Sequence, residues 1–401
     1  MQPNRPADKY SPLYFLASVG VGGLSVTFFM YLMFWVKHPG RPVPVFEDII
    51  AAFTSGSMGL QIAIAIAWIG IATFVFLNLK YLFWNLKAFS GFRKSETYEK
   101  LKNSNGETTI LAMPLAMAMS VNGLFIAGLV FVPGLWPIVE YLFPFAMAAF
   151  LAIGIYALSL IGDFLGRVLS KGGVFDVTAH NSFAQMLPSF ALAMTAVGFA
   201  APAAMSHNTI VVGVSLVGST FFGIAAIVYA ALALFTAFNS MLHYGTAKEA
   251  APTLMIVIPL MTILGIMFMR QNHGLHATFD VHGSAAETMI FLARLIAVQV
   301  LFGLLGMTVL SRVGYWKSYV FGSEASPGSY ALVCPGVALS VLLQFFVNSG
   351  LVKAGVLDKF SVTYWAITAI AIAFQFGMVA LVFRLNKQHF GRAEQTVVPA
   401  E

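Results

Sequence analysis

Charge is the scarcest thing in this sequence. Of its 401 residues only 9% are Asp, Glu, Lys or Arg, against 59% hydrophobic; an ordinary soluble domain carries about 25% charged residues. A mean hydropathy of +0.83, with 37 Phe and 19 Met, exceeds what one water-soluble core hides, because too little polar surface remains to coat it. The shortage excludes a soluble enzyme with a membrane tail and points to an integral membrane protein. Cysteine is scarcer still. The single one, Cys334, excludes an intrachain disulfide and an all-cysteine metal site. Histidine is missing from the middle of every apolar run, so a haem held between imidazoles at membrane depth has no ligands. No GxSxG, Walker, HExxH or paired-carboxylate motif stands in a suitable context, so the sequence reads as a non-enzyme that draws no energy from nucleotide.

What the chain does have is ten apolar runs, each long enough to cross a bilayer as a helix of about 20 residues. They lie at 12–36, 56–80, 109–133, 137–163, 183–205, 210–237, 252–269, 287–311, 328–352 and 362–384. The runs do not alternate polar and apolar residues, which excludes a β-barrel. The expected fold is an all-α integral membrane protein forming a single transmembrane domain, with a basic loop at 85–108 and a tail at 385–401. The first run is too long for the core of a signal peptide and reads as a retained span.

The few charges orient the spans. With the N-terminus in the cytoplasm, sixteen Lys and Arg fall inside and five outside, Lys37, Arg41, Arg270, Lys353 and Lys359, while Arg294 falls within a span. That asymmetry obeys the positive-inside rule. It predicts an even number of spans, both termini cytoplasmic, and a multi-pass protein of the plasma (inner) membrane. The net charge of +6 therefore belongs to topology and does not imply a nucleic-acid partner.

Proline favours the odd-numbered runs. Pro114, Pro188, Pro259 and Pro335 each lie several residues into theirs, where a missing N–H and a bulky ring predict a kink. Freed carbonyls at membrane depth need protein or a wet cavity to satisfy them. The pattern predicts five helical hairpins, each giving one bent inner and one straight outer helix around a central pore. Polar residues favour the same runs, and Ser120, Asn122, Thr195 and Thr262 are the candidate pore lining. Taken singly, each Ser or Thr is more often a back-bonding or packing residue. Gly20, Gly22 and Gly23 mark a close approach in the first run.

An intramembrane charge is a functional candidate by default. Arg294 is assigned to drawing anions toward the outer mouth, against a structural role beside Glu287 or Asp280. Asp163 and Arg167 are spaced as an i, i+4 ion pair. The stretch RQNHGLHATFDVH, with His273, His276, His282 and Asp280, reads as a hydrated outer loop, with no metal assigned. His180 and His243 fall at inner helix ends.

Three strings resemble one known family: SPLYFLASVGVGG in the first run, EAAPTLMIVIPLMT entering the seventh and SYALVCPGVAL in the ninth. With the ten-span count and the proline pattern, the chain is similar to the tellurite-resistance/dicarboxylate transporter family, which includes the plant slow-type anion channels. The resemblance implies a homotrimer in the lipid bilayer, each subunit having a pore lined by its odd-numbered helices. It implies transport of small inorganic or carboxylate anions, such as chloride, nitrate, sulfite, malate and tellurite, without a cofactor. The family places a gate phenylalanine just before the proline of the ninth helix. Here Cys334 occupies that position, too small to plug a path of similar width. The expected constriction is therefore Cys334, with Phe345 further along the same helix. Two rival expectations remain: a haem-free, quinone-contacting membrane anchor of a redox complex, and a secondary carrier of another fold built on inverted repeats.

Overall fold

The computed structural model describes residues 9–171, 175–179, 181–281 and 283–390. Arg5, His180, His282, Arg392 and the tail beyond residue 390 lie outside the described residues. Ten described helices are long and apolar enough to span a membrane, and no strand occurs among the described residues. They are α1 (Pro12–Trp35), α2 (Met58–Phe92), α3 (Asn105–Phe131), α4 (Trp136–Lys171), α5 (Phe183–Met205), α6 (Thr209–Tyr244), α7 (Lys248–Phe279), α8 (Ala285–Arg312), α9 (Pro327–Val352) and α10 (Val362–Phe390).

The helices fall into two classes by burial. In the odd-numbered helices 61% to 94% of the apolar stretch is buried within the protein; in the even-numbered ones the share is 17% to 33%. Each odd helix packs on the even helix that follows it. Among themselves the odd helices touch in the order α1, α3, α5, α7, α9, and α9 returns to α1, so the contacts close into a cycle. The inner helices are apolar all round because protein covers them; the outer ones are apolar because their free face meets lipid.

Every odd helix begins as a 3-10 turn before relaxing to α: Pro12–Tyr14, Asn105–Leu111, Phe183–Met186, Lys248–Met255 and Pro327–Leu332. Four of these starts are capped by a serine, whose hydroxyl accepts a backbone N–H two residues on. The donors are Leu13 to Ser11 (3.3 Å), Gly106 to Ser104 (3.1 Å), Ala184 to Ser182 (3.3 Å) and Gly328 to Ser326 (3.2 Å). Each cap occupies one donor that the first turn leaves orphaned. The four prolines follow. Pro114, Pro259 and Pro335 are third, and Pro188 second, in the α-helical part of their spans. A first-turn position needs no N–H donor, so no α-helical bond is lost there. The break expected at each proline thus takes the form of a change of winding just before it.

Several helices outrun their apolar segments. α2 continues to Phe92, a short helix follows at Glu96–Lys102, and α3 opens at Asn105, so little of 85–108 is irregular. α7 continues to Phe279, and the stretch expected as an outer loop around His273 and His276 is its last turns. Arg167 does not pair with exposed Asp163; it forms an ion pair with Glu107 on the first turn of α3. Burial decides between the two carboxylates, because Glu107 lies within the protein where an unpaired charge is costly.

Inner and outer helices are keyed together by bulky side chains against glycine. Ideal Cβ atoms on Gly70 of α2 and Gly306 of α8 would lie 2.3 Å from the Phe28 ring and 2.2 Å from Met255 Cγ, respectively. Buried amides add polar ties. Asn78 of α2 donates to the Ser18 carbonyl of α1 (2.8 Å), and Gln299 of α8 donates to the Ile258 carbonyl (2.8 Å) and the Thr262 hydroxyl (2.6 Å) of α7.

Candidate functional site

The cycle of inner helices encloses a cavity of about 900 Å³. At one end it reaches exposed residues of the α1–α2 link (Lys37) and the α9–α10 link (Lys353, Lys359), and so opens to the surface. At the other it stops at the buried side chains Phe190, Pro259 and Cys334. The same three residues border a second, far smaller void of about 10 Å³, lined also by Leu16, Leu187 and Ile256. They form the closed layer between the two.

Of the residues singled out in the sequence, Asn122, Pro259, Thr262, Cys334 and Phe345 line the cavity; Gly20 and Gly23 do too. Gly20 and Gly23 also admit Val333 and Val337 of α9 to the α1 backbone. Pro114, Pro188 and Pro335 do not line the cavity. Ser120 and Thr195 do not either: their hydroxyls donate back to the carbonyls of Ala116 (2.9 Å) and Ala191 (3.0 Å) within their own helices. Phe345 is well away from the closed layer, edge-on to Phe34 with ring centroids 5.3 Å apart. Arg294 is exposed on α8 and does not line the cavity. Glu287, considered as its partner, instead closes a capping box with Ser284 at the start of α8.

The open end has one sign of charge. Lys37, Arg41, Arg270, Lys353 and Lys359 all line the cavity, with His38 and His273, and none of the lining residues is Asp or Glu. These five cations are the five that the sequence places outside. Arg41 is ion-paired to Asp48, which also accepts the Val45 N–H (3.1 Å), so the α1–α2 link is fixed across the rim. Lys359 donates to the Phe34 carbonyl (2.6 Å). Although the residue as a whole is exposed, partial desolvation of its ammonium group, reinforced by the neighbouring Lys37 charge, pushes its pKa down. Arg270 donates from Nη1 to the Val197 carbonyl (2.7 Å), and no carboxylate among the described residues pairs with it.

Two functional candidates escaped the sequence reading. Phe190 lies two residues after Pro188, and only the closing of the inner helices around one space brings it beside Pro259 and Cys334. Arg270 follows the apolar stretch of α7 directly, and nothing in the sequence marks the continuation of the helix past it. Beyond the lining, Glu140 accepts from the Ser206 hydroxyl (2.7 Å) and the His207 N–H (2.6 Å), tying α4 to the link after α5. Among the described residues no cluster of His, Cys, Asp and Glu is arranged to hold a metal ion. Comparison with protein-family models, curated proteins and solved structures returns no match to this chain.

Proposed function

We propose that this protein passes small anions across the plasma (inner) membrane, through a path of its own in each subunit along the axis of the five inner helices. On this reading the spans are five hairpins of like sense, both termini are cytoplasmic, and three copies assemble. The observation that carries the reading is the mouth of the cavity: five cationic side chains line it, and only Arg41 is paired with a carboxylate, Asp48. A cleft lined by one sign of charge concentrates counter-ions and speeds their entry. The attraction expected of Arg294 is assigned to Arg270. Deeper in, Asn122 and Thr262 are polar without charge, which suits release as well as entry. The substrate class is chloride, nitrate, sulfite, tellurite or a small carboxylate.

The test is flux of chloride, nitrate, sulfite and malate into proteoliposomes holding the purified protein alone. The expected result is anion flux that falls about tenfold in Arg270→Gln, the lower end of the effect of such fields on entry. No flux from the protein alone, together with copurifying electron-transfer subunits, would replace this reading with that of a membrane anchor.

A further inference from the structure

We propose further, resting on the anion reading, that the cavity takes a monoanionic organic acid with an apolar body. Its carboxylate would sit at Arg270 and its chain would point toward Phe190. The first argument is size. A volume of about 900 Å³ belongs with clefts that hold molecules of many heavy atoms, at the upper part of the ~300–1,000 Å³ range of ligand pockets. It is far more than a halide or nitrate fills. Arg270 and Pro259, on one helix and both lining the cavity, are eleven residues apart, about 16 Å of helix rise. That is room for a chain of several methylenes.

The second argument is the inventory of hydrogen-bond donors. Below Arg270 the wall is Phe29, Met30, Phe125, Phe150, Met194 and Ile263. Its polar members, Asn122 and Thr262, have already spent their donors. Asn122 Nδ2 donates to the Ala118 carbonyl (3.0 Å) and to Met194 Sδ (3.7 Å), and Thr262 Oγ1 donates to the Ala338 carbonyl (3.0 Å). A small anion entering this wide chamber keeps its water, because these side chains offer no donor in exchange. A methylene chain entering it gains by leaving water. The head group is provided for separately. A guanidinium has five N–H donors in a fixed fork, and only Nη1 of Arg270 is committed, to the Val197 carbonyl. The others suit a two-point carboxylate contact.

The experiment measures binding of acetate, butyrate and hexanoate by equilibrium dialysis against the protein in nanodiscs, subtracting empty nanodiscs. Chloride and nitrate flux is measured on the same preparation in proteoliposomes. The expected result is a rise in affinity of about fourfold per added methylene. Arg270→Gln weakens hexanoate at least tenfold and leaves the neutral hexanamide unchanged. Ile266→Asn, which alters the lining one turn below Arg270, flattens the chain-length dependence without changing acetate. Equal affinity for acetate and hexanoate, or unchanged hexanoate binding in Arg270→Gln, overturns the proposal. If chloride and nitrate flux accompanies equal affinities, the transport reading stands and this inference fails. Chain-length-dependent binding that is lost in Arg270→Gln, with no flux of any anion, supports the site and overturns transport.

Discussion

At the scale of single residues, the mouth and the closed layer make different predictions. Lys359 carries a lowered pKa because partial desolvation of its ammonium and the Lys37 charge both disfavour its charged form. Between its folded pKa and the unfolded lysine value of about 10.4, the unfolded chain holds a proton that the folded chain has released, so stability rises with pH. Below that window the penalty is fully present. Thermal melts taken through the alkaline range should show this rise, and Lys359→Gln should abolish it. At the closed layer, Phe190→Ala removes the ring that separates the cavity from the small void and should raise anion flux. Cys334→Phe adds a ring there and should lower it about tenfold or more. Unaltered flux in a folded Cys334→Phe protein would remove Cys334 from the path. The sequence held all five mouth cations but not their meeting, because they come from three separate segments, Lys37 with Arg41, Arg270 alone, and Lys353 with Lys359, that only tertiary packing gathers. For the same reason Arg294, a charge inside an apolar run, looked more functional than Arg270 at the end of one.

At the scale of elements, the inner helices share a construction: a 3-10 opening, in four cases a serine cap, and in four cases a proline in the first α-helical turn. Losing one cap should cost about 1 kcal/mol, measured as a lower denaturation midpoint for Ser182→Ala. Keying between helices is less forgiving. In Gly70→Ala the new methyl group would meet the Phe28 ring, and overpacking of this kind costs about 1–3 kcal/mol. A melt of that variant should fall further than one of Gly59→Ala, where nothing lies within 4 Å of the added carbon. The apolar runs and the proline asymmetry were legible because lipid and protein interior impose them residue by residue. The helix extensions at Phe92 and Phe279 were not, since outside the hydrocarbon layer a helix can continue through polar residues without changing its hydropathy. The winding change before each proline was also hidden, because 3-10 and α turns make similar use of sequence.

At the scale of the whole molecule, the odd–even alternation in burial is the property the sequence came closest to stating. The division of prolines and polar residues between odd and even runs anticipated which helices the protein covers. What it could not state was the closing contact of α9 with α1, a relation between segments some 300 residues apart. Topology is open to direct measurement. In a Cys334→Ser background, cysteine placed at Lys359 should react with a membrane-impermeant maleimide added outside intact cells, and cysteine at Lys102 only after the membrane is opened. The reverse pattern would invert the chain in the membrane and turn the cationic mouth toward the cytoplasm.

The closed layer that begins at Phe190, Pro259 and Cys334 also has an electrical consequence. Where the wide chamber above it holds water and mobile ions, it conducts and sustains little voltage drop, so that part of the membrane potential is displaced onto the non-conducting layer. A charge crossing the whole membrane exchanges about 2.3 kcal/mol per 100 mV. Here much of that work would be done across the closed stretch that begins at Cys334, so a substitution there should change the voltage dependence of current, whereas one at the rim should change its size.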